Sequence, residues 1–228
     1  MSEKMLYKTE LHAHTSPVSR CAHADPSTLV KRFTEKGYTT VVLQNHLNRW
    51  TFETMPGIGW EEMMRYYLEG YHALRDAAKG KLNILLGAEM RVDEFANDFL
   101  VFGLTEEKLI SLGEIFPLRF RELSKKLGEM GCLVYQAHPM RFGMTLINPE
   151  WDGHLDGIEV YNSHKNHDSH NDLALLWAEK LSLPGISGSD FHDPEGYIGG
   201  GILTEEPITK MDQLLDILKN GNYRLIRE

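Results

Sequence analysis

The stretch Thr39-Thr40-Val41-Val42-Leu43-Gln44-Asn45-His46 decides the fold. Thr39 to Gln44 is β-branched and almost continuously apolar, the pattern of a strand covered on both faces. It runs straight into Asn45 and His46, which bring polar and metal-binding groups to its end. The pattern recurs. Lys8 to His12 reads as the first strand, and Asn83 to Glu89, Phe99 to Phe102, Leu133 to Ala137, Gly157 to Tyr161 and Pro184 to Ser187 read as further buried strands.

Helical stretches lie between them. Asp25-Pro26 opens one, with Asp capping free N–H groups and Pro fitting the first turn, and Gly37 closes it. Trp60 to Ala78 is long and amphipathic, and Arg119 to Met130, Asp168 to Leu181 and Lys210 to Lys219 complete the set. Strands alternating with helices imply parallel strands joined by right-handed crossovers, and six or seven such units predict an α/β barrel or a distorted one. In such folds the active site lies at the C-terminal ends of the strands.

Composition sets the outer bounds. The chain has 228 residues, a net charge of −9 and 42% hydrophobic residues, enough to bury a full core. No Pro/Gly/Ser-rich linker divides it, so a single domain over 1–228 is expected. Its longest apolar run, Asn83 to Ala88, is too short to span a bilayer, and its first residues lack a signal-peptide apolar region, so no membrane partner is expected. Two cysteines are too few for a disulfide scaffold, which makes a cytoplasmic setting the default. The acidic balance argues against binding bulk duplex nucleic acid. Oligomeric state is not read from the sequence.

Nearly every predicted strand finishes in a residue suited to metal. The ends carry His12 and His14, His46, Glu89, His138, and Asp190 with His192; Asp98 stands at the start of its strand instead. Residues i and i+2 of a strand point to one side, so His12 and His14 can reach one ion together, as can Asp190 and His192. Imidazole and carboxylate suit Zn²⁺, Mn²⁺ or Fe²⁺. A lone His-x-His is weak evidence and a lone Glu89 could be a helix cap, but repetition at one topological position favours shared metal binding. The surplus of ligands over one tetrahedral shell predicts two or three divalent ions.

Leu11-His12-Ala13-His14-Thr15, Asn45-His46, Gly87-Ala88-Glu89, Ala137-His138-Pro139 and Gly188-Ser189-Asp190-Phe191-His192 together resemble the PHP (polymerase and histidinol phosphatase) family of metal-dependent phosphoesterases, in the family's order and over nearly the whole chain. The resemblance implies a distorted (β/α)₇ TIM-like barrel, a trinuclear site and phosphate ester hydrolysis. By it His12, His14 and Asp190 hold the first metal, Glu89 bridges two metals, His138 is a ligand of the second, and His46 and His192 hold the third. Two positions depart from the family's pattern. Asp98 stands where many relatives have His before the fourth apolar strand. Ser19 and Arg20, followed by Cys21, stand where the family often has Asp or His. Either Cys21 or His23 completes the third site, or its ion is weakly held or absent, and Arg20 would repel a cation there.

The resulting expectation is hydrolysis of a small phosphomonoester, resembling histidinol phosphate or else a nucleotide or oligonucleotide, by metal-activated hydroxide attack at phosphorus. Glu89, Asp190 and His192 are the catalytic candidates, the last two for proton transfer. Among the cations that follow metal-bearing segments (Arg20, Arg49, Arg141 and Lys165), Arg20 and Arg141 are best placed to hold phosphate, with His164 a further candidate. The remaining histidines between Asn162 and His170 read as exposed. Cleavage of a C–N or carboxylic ester bond, or a binding module with a degraded site, are the alternatives.

Overall fold

The computed structural model describes residues 6–228. Eleven strands and six α-helices form the described chain: β1 Tyr7–Ala13, α1 Pro26–Glu35, β2 Tyr38–Leu43, β3 His46–Leu47, α2 Trp60–Ala78, β4 Asn83–Leu86, β5 Ala88–Met90, β6 Phe99–Phe102, α3 Glu106–Leu112, α4 Phe120–Glu129, β7 Leu133–Gln136, β8 Gly157–Asn162, α5 Asn171–Leu181, β9 Gly185–Gly188, β10 Ile202–Thr204, α6 Met211–Asn220 and β11 Arg224–Leu225. The strands make two mixed sheets, one in the order β11-β10-β1-β2-β4 and one in the order β3-β5-β6-β7-β8-β9.

The fold is α/β as expected, but the expectation of uniformly parallel strands is corrected. β1, β2 and β4 are parallel, as are β7, β8 and β9, but β6 is antiparallel to both β5 and β7, and β10 is antiparallel to β1. The cause is local. Only residues 91–98 separate β5 from β6, and a parallel crossover takes about a dozen residues or more.

The strand ends lie at the seams between the sheets. β3 continues the line of β2 beyond Gln44 and Asn45, and β5 continues β4 beyond Gly87. Hydrogen bonds from Gly87 N to Leu43 O (3.0 Å), Glu89 N to Asn45 O (3.1 Å) and Arg91 N to Leu47 O (3.2 Å) carry this pairing from one sheet to the other. On the far side Ala13 bridges Phe191, and His14 N donates to Phe191 O at 2.9 Å. The His-x-His pair therefore lies beside Asp190-Phe191-His192.

Helices cover the sheets for reasons visible in their sequences. Asp25 accepts from Thr28 N at 2.7 Å and Pro26 occupies the first turn of α1, whose buried Leu29, Val30 and Phe33 share an apolar cluster with Tyr38, Val41 and Leu43 of β2. α4 buries Phe120, Leu123 and Leu127, and the Phe120 ring stacks on Phe99 of β6 at 3.9 Å between centroids. α5 begins at Asn171 rather than Asp168, because Asp168 caps His170 N at 2.9 Å in the preceding turn. No helix among the described residues is long and apolar enough to cross a membrane.

Candidate metal centre

The site is built around Glu89 at the centre of β5. From the end of β1, His12 Nε2 lies 3.4 Å from Glu89 Oε1 and His14 Nε2 lies 3.4 Å from Glu89 Oε2. His138, just past β7, places Nε2 3.2 Å from Oε1, and His46 of β3 places Nδ1 2.7 Å from Oε2. Asp190, just past β9, closes the cluster with Oδ1 at 3.3 Å from both His12 Nε2 and His14 Nε2. Asp98 falls within the same group, close enough to His46 and Glu89 for all three to offer atoms to one ion. The sequence-assigned ligands His12, His14, His46, Glu89, Asp98, His138, Asp190 and His192 are thus brought together.

Backbone geometry shows what this convergence requires. His138 and Asp190 adopt positive φ values of 25° and 51°. Such conformations cost about 1–3 kcal/mol each in non-glycine residues and are tolerated mainly at functional positions. Gly188 has no room for a side chain, since a Cβ there would fall on the Cβ of His12 and on Glu159 Oε1.

A supporting set holds the rings in place. His12 Nδ1 bonds Glu159 Oε1 at 2.8 Å, while the other Glu159 oxygen accepts from His138 N (2.9 Å) and Asn162 Nδ2 (3.0 Å). Ser19 Oγ meets His14 Nδ1 at 3.1 Å, accepts from His46 N at 2.9 Å and donates to Asn45 Oδ1 at 2.9 Å. Glu10 accepts from Leu11 N, His12 N and Ser189 N at 2.8–3.0 Å and from Ser189 Oγ, locking β1 to the loop after β9. Burial pushes the Glu10 carboxyl up to about 7 against these bonds. Glu159, which the sequence offers with Tyr161 and Asn162 as a metal-suited residue of its strand, instead holds His12 and the backbone of His138 in place. Ser19 stood out only as a departure from the family's pattern, yet it positions two of the rings.

Charge follows from the same packing. Burial pulls the rings of His12, His46, His138 and His192 down, and neighbouring carboxylates outweigh it and raise all four. Burial and the nearby His192 and His46 lower His14. Burial would raise the Glu89 and Asp190 carboxyls, but the surrounding histidines hold both well below the usual carboxylate range.

The residues fit divalent ions. His12 Nε2, His14 Nε2, His46 Nδ1 and Glu89 Oε2 are buried without a hydrogen-bond partner, although each lies close to another ligand. Buried polar atoms are normally satisfied, so orphaned lone pairs aimed at common points are what a metal site presents. Above them opens a cavity of about 420 Å³, lined on its polar side by Arg91, Asp98, Arg141, His164, His167 and Asp193.

The expected phosphate contacts fare unevenly. Arg141 and His164 line the cavity. Burial together with His192 and His167 pulls His164 down to about 4, so it enters as a neutral ring. Arg20 does not face the ligands: its Nη1 donates to Trp50 O at 2.7 Å and to Glu53 Oε2 at 2.8 Å, and its guanidinium lies over the Trp50 ring. That corrects both its phosphate role and the repulsion expected of it. The acidic partner Glu53 and the broad indole face outcompeted the site for this side chain. Arg49 pairs with Asp93 at 2.7 Å, and Lys165 lies over Tyr197 at 4.1 Å. His167, read as exposed, instead places Nε2 3.4 Å from Asp190 Oδ2. Arg91 was missed, although it lies two residues beyond Glu89 and so on the same side of the chain.

The fold that carries this centre is similar to that of solved PHP-like metal-dependent phosphoesterases. A family model described as PHP-associated matches residues 168–223. A two-domain protein of Bacteroides vulgatus containing a PHP-like metal-dependent phosphoesterase shares the fold with a TM-score of 0.68 at 17% identity, over 98% of this chain and 65% of that one. The lesion-specific endonuclease EndoQ of Pyrococcus furiosus does so with a TM-score of 0.66 at 16% identity, over 97% of this chain and 58% of that one. An amidohydrolase of Chromobacterium violaceum matches with a TM-score of 0.58 at 14% identity, over 96% and 98%. The chain spans less than two thirds of the length of the first two. No curated protein matches it in sequence.

The comparisons also correct the exclusion of duplex nucleic acid. Endonuclease Q, with a TM-score of 0.65 to this chain at 16% identity, over 96% of this chain and 58% of that one, is seen in complex with a 27-mer duplex carrying an abasic lesion at the active site. Net charge sums over the whole surface, whereas a phosphate backbone responds to the local field, which bound cations can reverse.

Proposed function

We propose that this chain is a single-domain metal-dependent phosphoesterase that hydrolyses a phosphate ester at the Glu89 centre, with two or three Zn²⁺, Mn²⁺ or Fe²⁺ ions. The observation that carries the reading is the set of buried, unpartnered ring and carboxylate atoms converging under an open cavity that also holds Arg91 and Arg141. The hydrogen bonds that cross both seams support taking the two sheets as one distorted barrel, with the site at its strand ends.

His12, His14, Glu89 and Asp190 would hold one ion, Glu89, Asp98 and His138 a second, and His46 and His192 a third. Bound there, the ions would neutralise phosphoryl oxygens and lower the pKa of water to about 7 in the zinc case. Arg141, with its fork of donors, would hold the non-reacting phosphate oxygens, and neutral His164 would add a hydrogen bond from the cavity wall. Asp190 and His192 would move the proton that leaves the attacking water. The cavity's size suits a small phosphomonoester or nucleotide, and the endonuclease relatives support an oligonucleotide end as a second form of the same ester. Cys21 and Cys132 are both free, which supports a reducing, cytoplasmic setting.

The test is a substrate panel on the metal-loaded chain: aryl and sugar phosphomonoesters, nucleotides and short oligonucleotides against amides and carboxylic esters. Turnover of phosphate esters, lost on chelation and restored by metal, is the expected result. The amidohydrolase neighbour makes the second arm necessary. Turnover confined to amides or carboxylic esters would overturn the reading.

A further inference from the structure

We propose that Cys21 joins His46 and His192 as a thiolate ligand of the third ion, making that site selective for Zn²⁺ or another thiophilic ion over Mn²⁺ or Mg²⁺. The inference rests on the metal-hydrolase reading and adds a ligand and a metal class to it.

Two imidazole nitrogens face each other here. His46 Nε2 and His192 Nε2 stand 3.5 Å apart. Two nitrogens each about 2.0–2.1 Å from a tetrahedral zinc stand about 3.4 Å apart, so this is a ligand-to-ligand edge. His192 Nδ1 donates to Asp190 O at 2.9 Å, so its Nε2 is the nitrogen turned towards His46, whose own Nε2 faces it.

Cys21 completes the face. The turn that follows β1 is fixed by Ser19 N to Thr15 O (3.2 Å) and Ala22 N to Ser19 O (2.8 Å), and its far end is tied to His192 itself, because His23 N and Ala24 N both donate to His192 O at 2.9 Å. This places half-buried Cys21 on the wall of the same cavity that His46 and His192 line. Fully buried His14 supplies a second sign of an ion here: its ring stacks on His192 at 4.2 Å and on His46 at 4.5 Å, and the three rings can each offer a nitrogen within 4.8 Å of the others. His23 is not the ligand, being largely exposed with Nδ1 held by Asp193 Oδ1 at 2.6 Å.

One thiolate and two imidazoles make the three-ligand shell of an open zinc site, with the fourth position facing the cavity. Thiolate favours zinc, whereas the carboxylates around Glu89 suit harder ions as well. The chain would thus hold ions of two kinds.

Cobalt(II) is the probe. The full chain, stripped by chelation, is titrated with Co²⁺ and followed by absorption and by elemental analysis. Wild type and Cys132→Ala should develop a thiolate-to-cobalt charge-transfer band in the near ultraviolet. Cys21→Ala and the near-isosteric Cys21→Ser should lose it, together with one bound equivalent, and Zn²⁺ affinity at that equivalent should fall about tenfold or more. Cys21→Asp should keep the equivalent without the band and shift its preference toward Mn²⁺. Metal bound and phosphate esters turned over with no band in wild type would overturn this inference alone, as would unchanged stoichiometry and affinity in Cys21→Ala. A wild-type chain that takes up no metal would overturn the parent reading with it.

Discussion

Arg91 grips Asp98 through two parallel hydrogen bonds, Nε to Oδ1 at 2.7 Å and Nη2 to Oδ2 at 2.5 Å, on the wall of the cavity above Glu89. Asp98 is buried and both of its oxygens are engaged, so its negative charge is offset where it stands. The Arg91 Nη1 remains uncommitted to Asp98. Charge-assisted contacts of this kind contribute about 1.5–3 kcal/mol. Arg91→Ala should therefore raise KM for an aryl phosphate about tenfold and weaken inhibition by inorganic phosphate in parallel, with Arg91→Lys in between. An unchanged phosphate inhibition constant in Arg91→Ala would mean that Arg91 serves Asp98 only.

Glu159 touches no common ligand point, yet it fixes the tautomer and orientation of His12 and caps the backbone of His138. Carboxylates behind metal-bound histidines typically carry a 10–100-fold effect on affinity. Glu159→Ala should lower metal affinity by about that factor, and Glu159→Gln, which keeps an acceptor oxygen, by less. Competition against a chromophoric chelator measures both. Equal affinities in wild type and Glu159→Ala would leave the contact a packing detail.

The convergence of these side chains was legible because the pattern repeats: His12, His46, Glu89, His138 and Asp190 each lie at or just past the end of an apolar strand, and period-2 geometry needs no tertiary information. What was hidden depends on non-local competition. Arg20 has the right sequence position for phosphate, but Glu53 and Trp50, brought in by the turn over residues 49–52, claim it. His167 sits in a polar tract with nothing local to mark it, and only the placement of α5 brings it to Asp190. The antiparallel β6 was concealed because strand periodicity is blind to direction. The length of the link over residues 91–98 was the one signal available.

Glu89 is the residue on which the ligands converge, within 3.4 Å of His12, His14, His46 and His138. Glu89→Gln keeps the volume but removes the charge that balances two cations. Turnover of p-nitrophenyl phosphate should fall about a hundredfold or more, the scale on which loss of one charge-stabilising group acts. At least one metal equivalent should become loose in the same titration. Near-normal turnover by the variant would remove Glu89 from the centre of the mechanism.

Metal loading should release protons. Burial opposes charge on His12, His46, His138 and His192, but Asp190, Glu159 and Glu89 around His12, Glu89 beside His46 and His138, and Asp190 beside His192 raise all four above the ordinary 6.5. In the chelated chain these rings hold their protons to higher pH than a free imidazole does, whereas an ion takes only the neutral ring. Apparent metal affinity should rise with pH through the neutral range and level off once the rings are neutral. The sign for the metal-free fold is opposite. A histidine whose folded pKa is raised contributes stability that is fully present below the unfolded value of 6.5 and is lost as pH rises through the folded value. The chelated chain should accordingly melt at lower temperature as the solution is made alkaline, and added Zn²⁺ should reverse that trend. Titrating the stripped chain with Zn²⁺ in weakly buffered solution reads the protons directly. Uptake without acidification, beside a melting temperature that does not change from neutral to alkaline pH, would show that the rings are already neutral before the metal arrives.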